Sequence, residues 1–403
     1  MGRVALSAGV LGCVAALAAG SSFAQEIKIG SVAAVTGPVA EVVDGIVAGR
    51  NLAAQHVNDQ GGLLDGAAYR LVLGDSQCDP KAAVDAATKV VNVEQVVAIV
   101  GATCSGGTNA MAQSVTIPAG VVSVSDSATA PSITELEDND LVFRVVPSDA
   151  YQGQVLAGLA MDRGLGKLAL TYANDDYNAG LAAAFEESFK ELGGEITAKQ
   201  MHEPNKASYR SELATLAGQP ADGLALFAYY GGSGITIIRN SLENGLFETF
   251  LAADGMADAT VIEQIGADML RDHLFITLPG SDSQDPSYRA FAEAFEQSGK
   301  DPAGPFIANG YDATFLIALA IEKVGAADRA KISEALRAVA GPPGIVIRPG
   351  QWTEAKEAIA AGEDINYEGA SGPADFDENG DVAGIYQLYM VGADDQWQSQ
   401  LIK

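Results

Sequence analysis

Residues 96–108 read VVAIVGATCSGGT, and they set the architecture. Residues 96–102 form an unbroken apolar run, too short for a helix and rich in β-branched side chains. Such a run suits a strand buried on both faces, as in a parallel sheet. Thr103-Cys104-Ser105-Gly106-Gly107-Thr108 then supplies the small and hydroxyl residues that open a helix. Upstream, residues 27–35 read as a strand, 41–58 as a helix ended by Gly61-Gly62, 69–74 as a strand, and 80–93 as a helix. Asp79 and Pro80 fit the N-cap and first position of that last helix. In the 41–58 helix, Val42, Ile46, Leu52, Ala53 and Val57 fall near one face. Downstream come a helix from about 107 and a strand at 121–124.

The alternation begins again at 151. Helices are expected at 151–162, 179–192, 209–216 and 234–243, and strands at 167–172, 195–200, 224–229, 250–253 and 273–278. Helices at 288–297, 311–324 and 328–339 and a β-rich piece at 384–391 complete the chain. Strands alternating with helices mean parallel sheets covered on both faces. The 403 residues suffice for roughly two such units. The fold class is therefore α/β, with two lobes, each a mostly parallel sheet flanked by helices. No Pro- or Ser-rich linker separates them, which suits a hinge made of ordinary crossing strands.

Composition excludes several functions. Hydrophobic residues at 48% and charged residues at 19% describe a folded chain, not a disordered one. Lys and Arg number 24 against 52 Asp and Glu, for a net charge of −28. That surface repels nucleic acid and anionic lipid, so no nucleic-acid partner is expected. Only His56, His202 and His273 offer imidazoles, and no His-Glu-x-x-His zinc pattern occurs. There is no phosphate-binding Gly-Lys-Ser/Thr loop and no Gly-x-Ser-x-Gly elbow. Gly231-Gly232-Ser233-Gly234 lacks dinucleotide-binding spacing. The acidic run at 375–381, DFDENGD, resembles the start of a calcium loop, but its twelfth position is Tyr386 rather than Glu. An acidic turn is the better reading. No enzyme, cofactor or metal site is expected.

Residues 1–24 read as a cleavable secretory signal: Arg3, an apolar stretch from Val4 to Ala19, then Ser22-Phe23-Ala24 with cleavage after Ala24. A membrane anchor, and lipidation at Cys13, are the alternatives. Export leaves Cys78 and Cys104, an even pair in an oxidising compartment, and thus a candidate disulfide.

What remains is a small-ligand site at the carboxyl ends of strands. Ser105 opens a helix beyond the 96–102 strand. Ser127-Ala128-Thr129 follows the 121–124 strand, where Thr129 offers a hydroxyl and an N–H and Ser127 a carbonyl. Ordinary helix capping is the competing reading for each.

At these residues the chain resembles the periplasmic leucine/isoleucine/valine-binding protein family of ABC transporters. The opening EIKIGSVAAVTGPVA (26–40), Cys78-Asp79-Pro80, Cys104-Ser105, the 127–131 loop SATAP, Tyr177, Gly180-Leu181, Tyr229-Tyr230-Gly231-Gly232, Asp254-Gly255, Phe306 and Tyr311-Asp312-Ala313 match in order. The resemblance implies the type I two-lobed fold with three crossings. Lobe 1 is then 25–146 plus 277–386, and lobe 2 is 147–276 plus 387–403. It also implies a bridged Cys78–Cys104 and a receptor that hands a small molecule to a membrane permease.

The resemblance assigns roles too. Ser105 and Thr129 would hold an α-carboxylate. The Ser127 carbonyl, the Thr129 hydroxyl and Asp254 would meet an α-ammonium. Tyr177 would close over the ligand and Phe306 would line its side chain. Val42 and Ser233 stand where relatives carry aromatic rings, which implies a roomier, more polar pocket. An amino acid, branched-chain or larger and more polar, is the expected ligand. Alternatives on the same fold are an amide, urea or aromatic carboxylate, or a periplasmic sensor role. A monomer is expected.

Overall fold

Glu26–Ala33 (β1) is buried along nearly its whole length because it lies inside a sheet with partners on both sides. The computed structural model describes Gly2 and residues 25–402. The expected export signal, 1–24 with Cys13, lies outside the described residues except for Gly2. The first sheet has the order β2-β1-β3-β4-β5, formed by β1, Ala68–Asp75 (β2), Ala98–Val100 (β3), Val122–Ser125 (β4) and Val142–Arg144 (β5), all parallel. The run at 96–102 thus contributes only three paired residues. Gly101 ends it at φ 115°, where a Cβ would stand 2.0 Å from the Val32 carbonyl oxygen. Only glycine fits there.

The second sheet contains Lys167–Ala173 (β6), Glu195–His202 (β7), Gly223–Phe227 (β8), Phe250–Ala253 (β9), Leu274–Gly280 (β10), and, after a two-stranded ribbon of Ile345–Ile347 (β11) and Ile365–Tyr367 (β12), Ile385–Val391 (β13) and Trp397–Ile402 (β14). Its order is β14-β13-β10-β9-β8-β6-β7, parallel except for the antiparallel β13 and β14. Two mostly parallel sheets flanked by helices match the expected class. β10 remains paired with β13 through Gly280, and β13 begins at Ile385. The expected lobe limits at 277 and 386 therefore cut through strands of the second sheet. Sheet membership puts Thr277–Gly280 and Ile385–Tyr386 in the second sheet. The hydrophobic pattern could not show this, because an apolar strand looks the same in either sheet.

Helix Ile307–Val324 is buried on all sides, packed among the first sheet, helix Ala40–Asp59 and helix Arg329–Ala340. A helix apolar all round belongs in a core. Helix Ala40–Asp59 buries Val43, Ile46, Arg50, Ala53 and Val57. That is a clean three-four spacing, rotated from the face expected from Val42 and Leu52. Arg50 concealed it, since a charged residue does not read as core. Its guanidinium, fully buried, donates to both carboxylate oxygens of Asp126 at 2.7 and 3.0 Å and to Ser31 Oγ at 3.0 Å. Charge-assisted bidentate geometry of this kind offsets the cost of burying the pair.

Cys78 and Cys104 are disulfide-bonded, with Cα atoms 5.3 Å apart. Asp79 caps helix Pro80–Asn92 by accepting from the Ala82 N–H at 2.8 Å. No helix of the described residues is long and apolar enough to cross a membrane.

Candidate functional site

The loops after β3, β4, β8 and β9 converge on one cleft between the two sheet layers. Parallel strands all point their carboxyl ends the same way, so loops distant in sequence meet there. The cleft has a volume of about 40 Å³ and is lined by Val42, Ser105, Ser127, Tyr177, Asp254 and Phe306 among the expected residues. Val39, Val43, Ile46, Thr103, Cys104, Tyr229, Tyr230 and Gly255 complete its wall.

The hydroxyls are held in place. Ser105 Oγ accepts from the Ala130 N–H at 3.2 Å, which ties together the loops that follow β3 and β4. Ser127 Oγ donates to the Thr103 carbonyl at 3.1 Å. The disulfide joins the Ser105 loop to the segment before helix Pro80–Asn92.

Asp254 follows β9 and faces the cleft. Its carboxylate accepts from Gln152 Nε2 at 3.0 Å and is hydrogen-bonded by Tyr177. The Tyr177 hydroxyl also accepts from the Gly255 N–H at 3.2 Å, and its ring stacks on Tyr229 at 5.3 Å between centroids. Burial pushes the Asp254 carboxyl up to about 6.

Thr129, Ala128 and Ser233 do not line the cleft. Ala128 and Thr129 are fully buried. The Thr129 hydroxyl donates to Asp149 Oδ2 at 2.9 Å, and the Asp149 N–H donates back to the Thr129 carbonyl at 2.8 Å. Asp149 is itself fully buried, and its second oxygen, Oδ1, has no partner. Burial, then the nearby Asp254, push the Asp149 carboxyl well above its ordinary range. Asp254 thus lines the cleft with Asp149 buried nearby but outside its wall, and among the described residues neither forms an ion pair. Sequence reasoning missed Asp149, which reads as an ordinary first-turn acidic residue of a helix.

Ser233 turns away because His202 engages it. His202 Nε2 lies 2.8 Å from Ser233 Oγ, and Nδ1 lies 2.8 Å from Thr171 Oγ1. Burial lowers that imidazole to about 4, so it is neutral. The expectation of a roomier, more polar pocket at Val42 and Ser233 is corrected accordingly. Tyr229 and Tyr230, at the end of β8, fill the space with rings. The strand-end rule that singled out Ser105 would have found them as well.

The layers touch around the cleft. The Tyr230 hydroxyl donates to Glu41 Oε2 at 2.8 Å, the Gly231 N–H to the Pro38 carbonyl at 3.2 Å, and Asn109 Nδ2 to Asp176 Oδ2 at 3.0 Å. The acidic run at 375–381 is a turn whose Asp377 carboxylate accepts from the Asn379 and Asp381 N–H groups.

The sequence profile described as periplasmic binding protein matches residues 26–396. The chain belongs to the periplasmic binding protein family. Within it, the leucine-, isoleucine-, valine-, threonine-, and alanine-binding protein of Pseudomonas aeruginosa is 33% identical over 330 residues, covering 81% of this chain and 86% of that one. The leucine-specific-binding protein of Salmonella typhimurium is 27% identical, covering 86% and 91%. Among solved structures, the leucine-binding protein of Thermotoga maritima superposes with a TM-score of 0.79 at 25% identity, covering 94% of this chain and 98% of that one. A benzoate complex of a Rhodopseudomonas palustris solute-binding protein superposes with a TM-score of 0.76 at 20% identity, covering 93% and 96%, and shares the fold. This periplasmic binding protein is thus a member of the leucine/isoleucine/valine-binding group, with the type I architecture.

Proposed function

We propose that this protein is an exported receptor that captures an α-amino acid with a short, branched apolar side chain and passes it to an ABC transporter permease. The observation that carries this reading is the Asp254 carboxylate in the cleft beside buried Asp149. A cleft walled by aromatic and aliphatic side chains that still contains a carboxylate calls for a cation, because an unpaired buried charge is costly. An α-ammonium meets that need. Ser105 and Ser127 serve the polar end, Tyr177 and Tyr229 cover it, and Val42, Tyr230 and Phe306 pack the side chain. Thr129 acts through Asp149 rather than on the ligand. An aromatic carboxylate is the weaker reading, since it brings a second negative charge toward Asp254.

The branched-chain ligands named for the Pseudomonas and Thermotoga relatives support the reading. In this reading the first lobe is about 25–146 plus 281–384 and the second about 147–280 plus 385–402, hinged at three crossings. Residues 1–24 direct export and are removed, and the acidic receptor works as a periplasmic monomer.

The test is a thermal-shift panel on ligand-free protein spanning residues 25–403. It covers the twenty amino acids, small amides and benzoates. A ligand at 1,000 times its Kd stabilises by about 4 kcal/mol. Shifts with leucine, isoleucine and valine support the reading. Shifts confined to amides or benzoates overturn it.

A further inference from the structure

Phe306 stands between two cavities. On one side is the ligand cleft of about 40 Å³. On the other is a chamber of about 380 Å³ beside the crossing at Gly280, walled by Ser281, Ser283, Asn309, Gln387 and Gln400 among others. Among the described residues, Phe306 is the one side chain shared by both walls. Its backbone is left-handed, with φ 59° and ψ 8°, immediately before helix Ile307–Val324. A bulky residue rarely takes this conformation, and strain of this kind persists where the surroundings hold it for a purpose. The Gly310 N–H donates to the Phe306 carbonyl at 2.9 Å, and the Tyr389 hydroxyl donates to the Ala303 carbonyl at 3.1 Å. The segment that presents the ring is therefore anchored on both sides of it.

The chamber has a distinct chemistry. None of its lining residues is charged, in a chain with a net charge of −28. Gln387 Nε2 donates to the Ser281 carbonyl at 3.0 Å, and Asn309 Nδ2 to the Val145 carbonyl at 2.6 Å. Each amide commits one N–H this way and keeps its oxygen as an acceptor. Such a wall suits a neutral group rich in donors, such as a ureido or primary amide group. It offers no counter-ion to a guanidinium, whose burial there would be costly.

We propose that Phe306 is the specificity-determining residue that sets the length limit of the ligand side chain, and that the chamber behind it is a latent subsite for an uncharged, donor-bearing tail. The proposal rests on the amino-acid reading above and adds the boundary of that site. Val42 and Tyr230 shape the near side of the ligand, and Phe306 decides where it must end.

The experiment is calorimetric titration of ligand-free protein with L-leucine, L-citrulline and L-arginine. Citrulline and arginine have the same length and differ in tail charge. Phe306→Gly removes the ring and suits the left-handed backbone. The wild type should bind leucine and reject both longer ligands. Phe306→Gly should weaken leucine about tenfold and strengthen citrulline at least tenfold, with no gain for arginine. Adding Gln387→Glu to that variant should reverse the preference toward arginine. Should Phe306→Gly not fold, Phe306→Asn, which also tolerates this backbone, carries the same test. Leucine binding to the wild type without any gain of citrulline in the variant overturns the subsite and leaves the amino-acid reading standing. An equal gain for arginine overturns its neutral character. A wild type that binds no α-amino acid overturns the reading, and the subsite with it.

Discussion

Arg144 grips Asp381 through two hydrogen bonds, Nε to Oδ1 at 2.5 Å and the terminal nitrogen to Oδ2 at 2.6 Å, across 237 residues of chain. The other terminal nitrogen donates to the Thr129 and Ala130 carbonyls at 2.9 and 3.0 Å. The last residue of a distant acidic turn thereby anchors the cation that braces the loop beside the ligand cleft. Arg144 ends β5, at the first crossing between sheets, and Asp381 lies shortly before the return to the second sheet. One ion pair thus ties the end of β5 and the segment before β13 to the loop that follows β4.

Removing the anion should expose how much that brace matters. Asp381→Ala leaves a fully buried guanidinium without its counter-ion, which costs about 3–5 kcal/mol. The expected outcome is a clear fall in the denaturant midpoint with an unchanged m-value. A midpoint equal to wild type would mean that water replaces the carboxylate at no cost.

Asp254 should be the residue most sensitive to charge. Asp254→Asn keeps the shape and removes the ammonium's partner, weakening amino-acid binding by about 2–5 kcal/mol. Titration calorimetry reads this directly. Unchanged leucine affinity would remove Asp254 from the binding account.

The same residue makes binding depend on pH. In the ligand-free protein the Asp254 carboxyl is raised to about 6, and Asp149 is raised in the same direction. A carboxyl raised on folding stabilises the fold most when protonated, so this contribution fades as pH rises from about 4 through 6. An ammonium ligand has the opposite requirement, because it needs the ionised form. Affinity should therefore fall about tenfold from pH 7 to pH 5, with protons released on binding at the lower pH. Calorimetry in two buffers of different ionisation enthalpy measures that release. A flat affinity with no proton release would show that the carboxylate is not titrating against the ligand.

The contact across the mouth should govern the lifetime of the complex. Tyr230→Phe removes the hydrogen bond to Glu41 and leaves the ring in the cleft wall. A net loss of about 0.5–1.5 kcal/mol is expected. It should appear as a faster off-rate in stopped-flow measurements, with the on-rate little changed.

The disulfide closes a segment with a sequence separation of 26 residues. In the chain-entropy description it contributes about 3.5 kcal/mol. Reduction, or Cys78→Ser with Cys104→Ser, should lower the melting temperature. It should also weaken ligand binding, because Cys104 and Ser105 both line the cleft.

Much of the frame was legible because it depends on local pattern. The apolar run at 96–102, the Asp79-Pro80 helix start and the repeated strand–helix alternation each report neighbours in sequence. Strand-end chemistry at Ser105 and Ser127 was legible for the same reason, whereas Asp254 was reached only through the family resemblance. The short strand at 142–144, the ribbon of β11 and β12 and the closing strand β14 were not, being too short or too polar to carry a period.

By itself the sequence determined the α/β class, the cysteine pair and the strand ends from which a ligand site is built. Tertiary structure alone decided which atoms face that site. It turned Ser233 toward His202, directed Thr129 to Asp149, and brought Tyr229 and Tyr230 into the wall. It also decided that Arg50 and Arg144 belong in the interior, with counter-ions 76 and 237 residues away. The physical reason is the cost of burying charge. Periodicity records which side chains prefer to leave water, whereas a charged or hydroxyl group leaves water only where a partner is already in place, and folding alone brings that partner near.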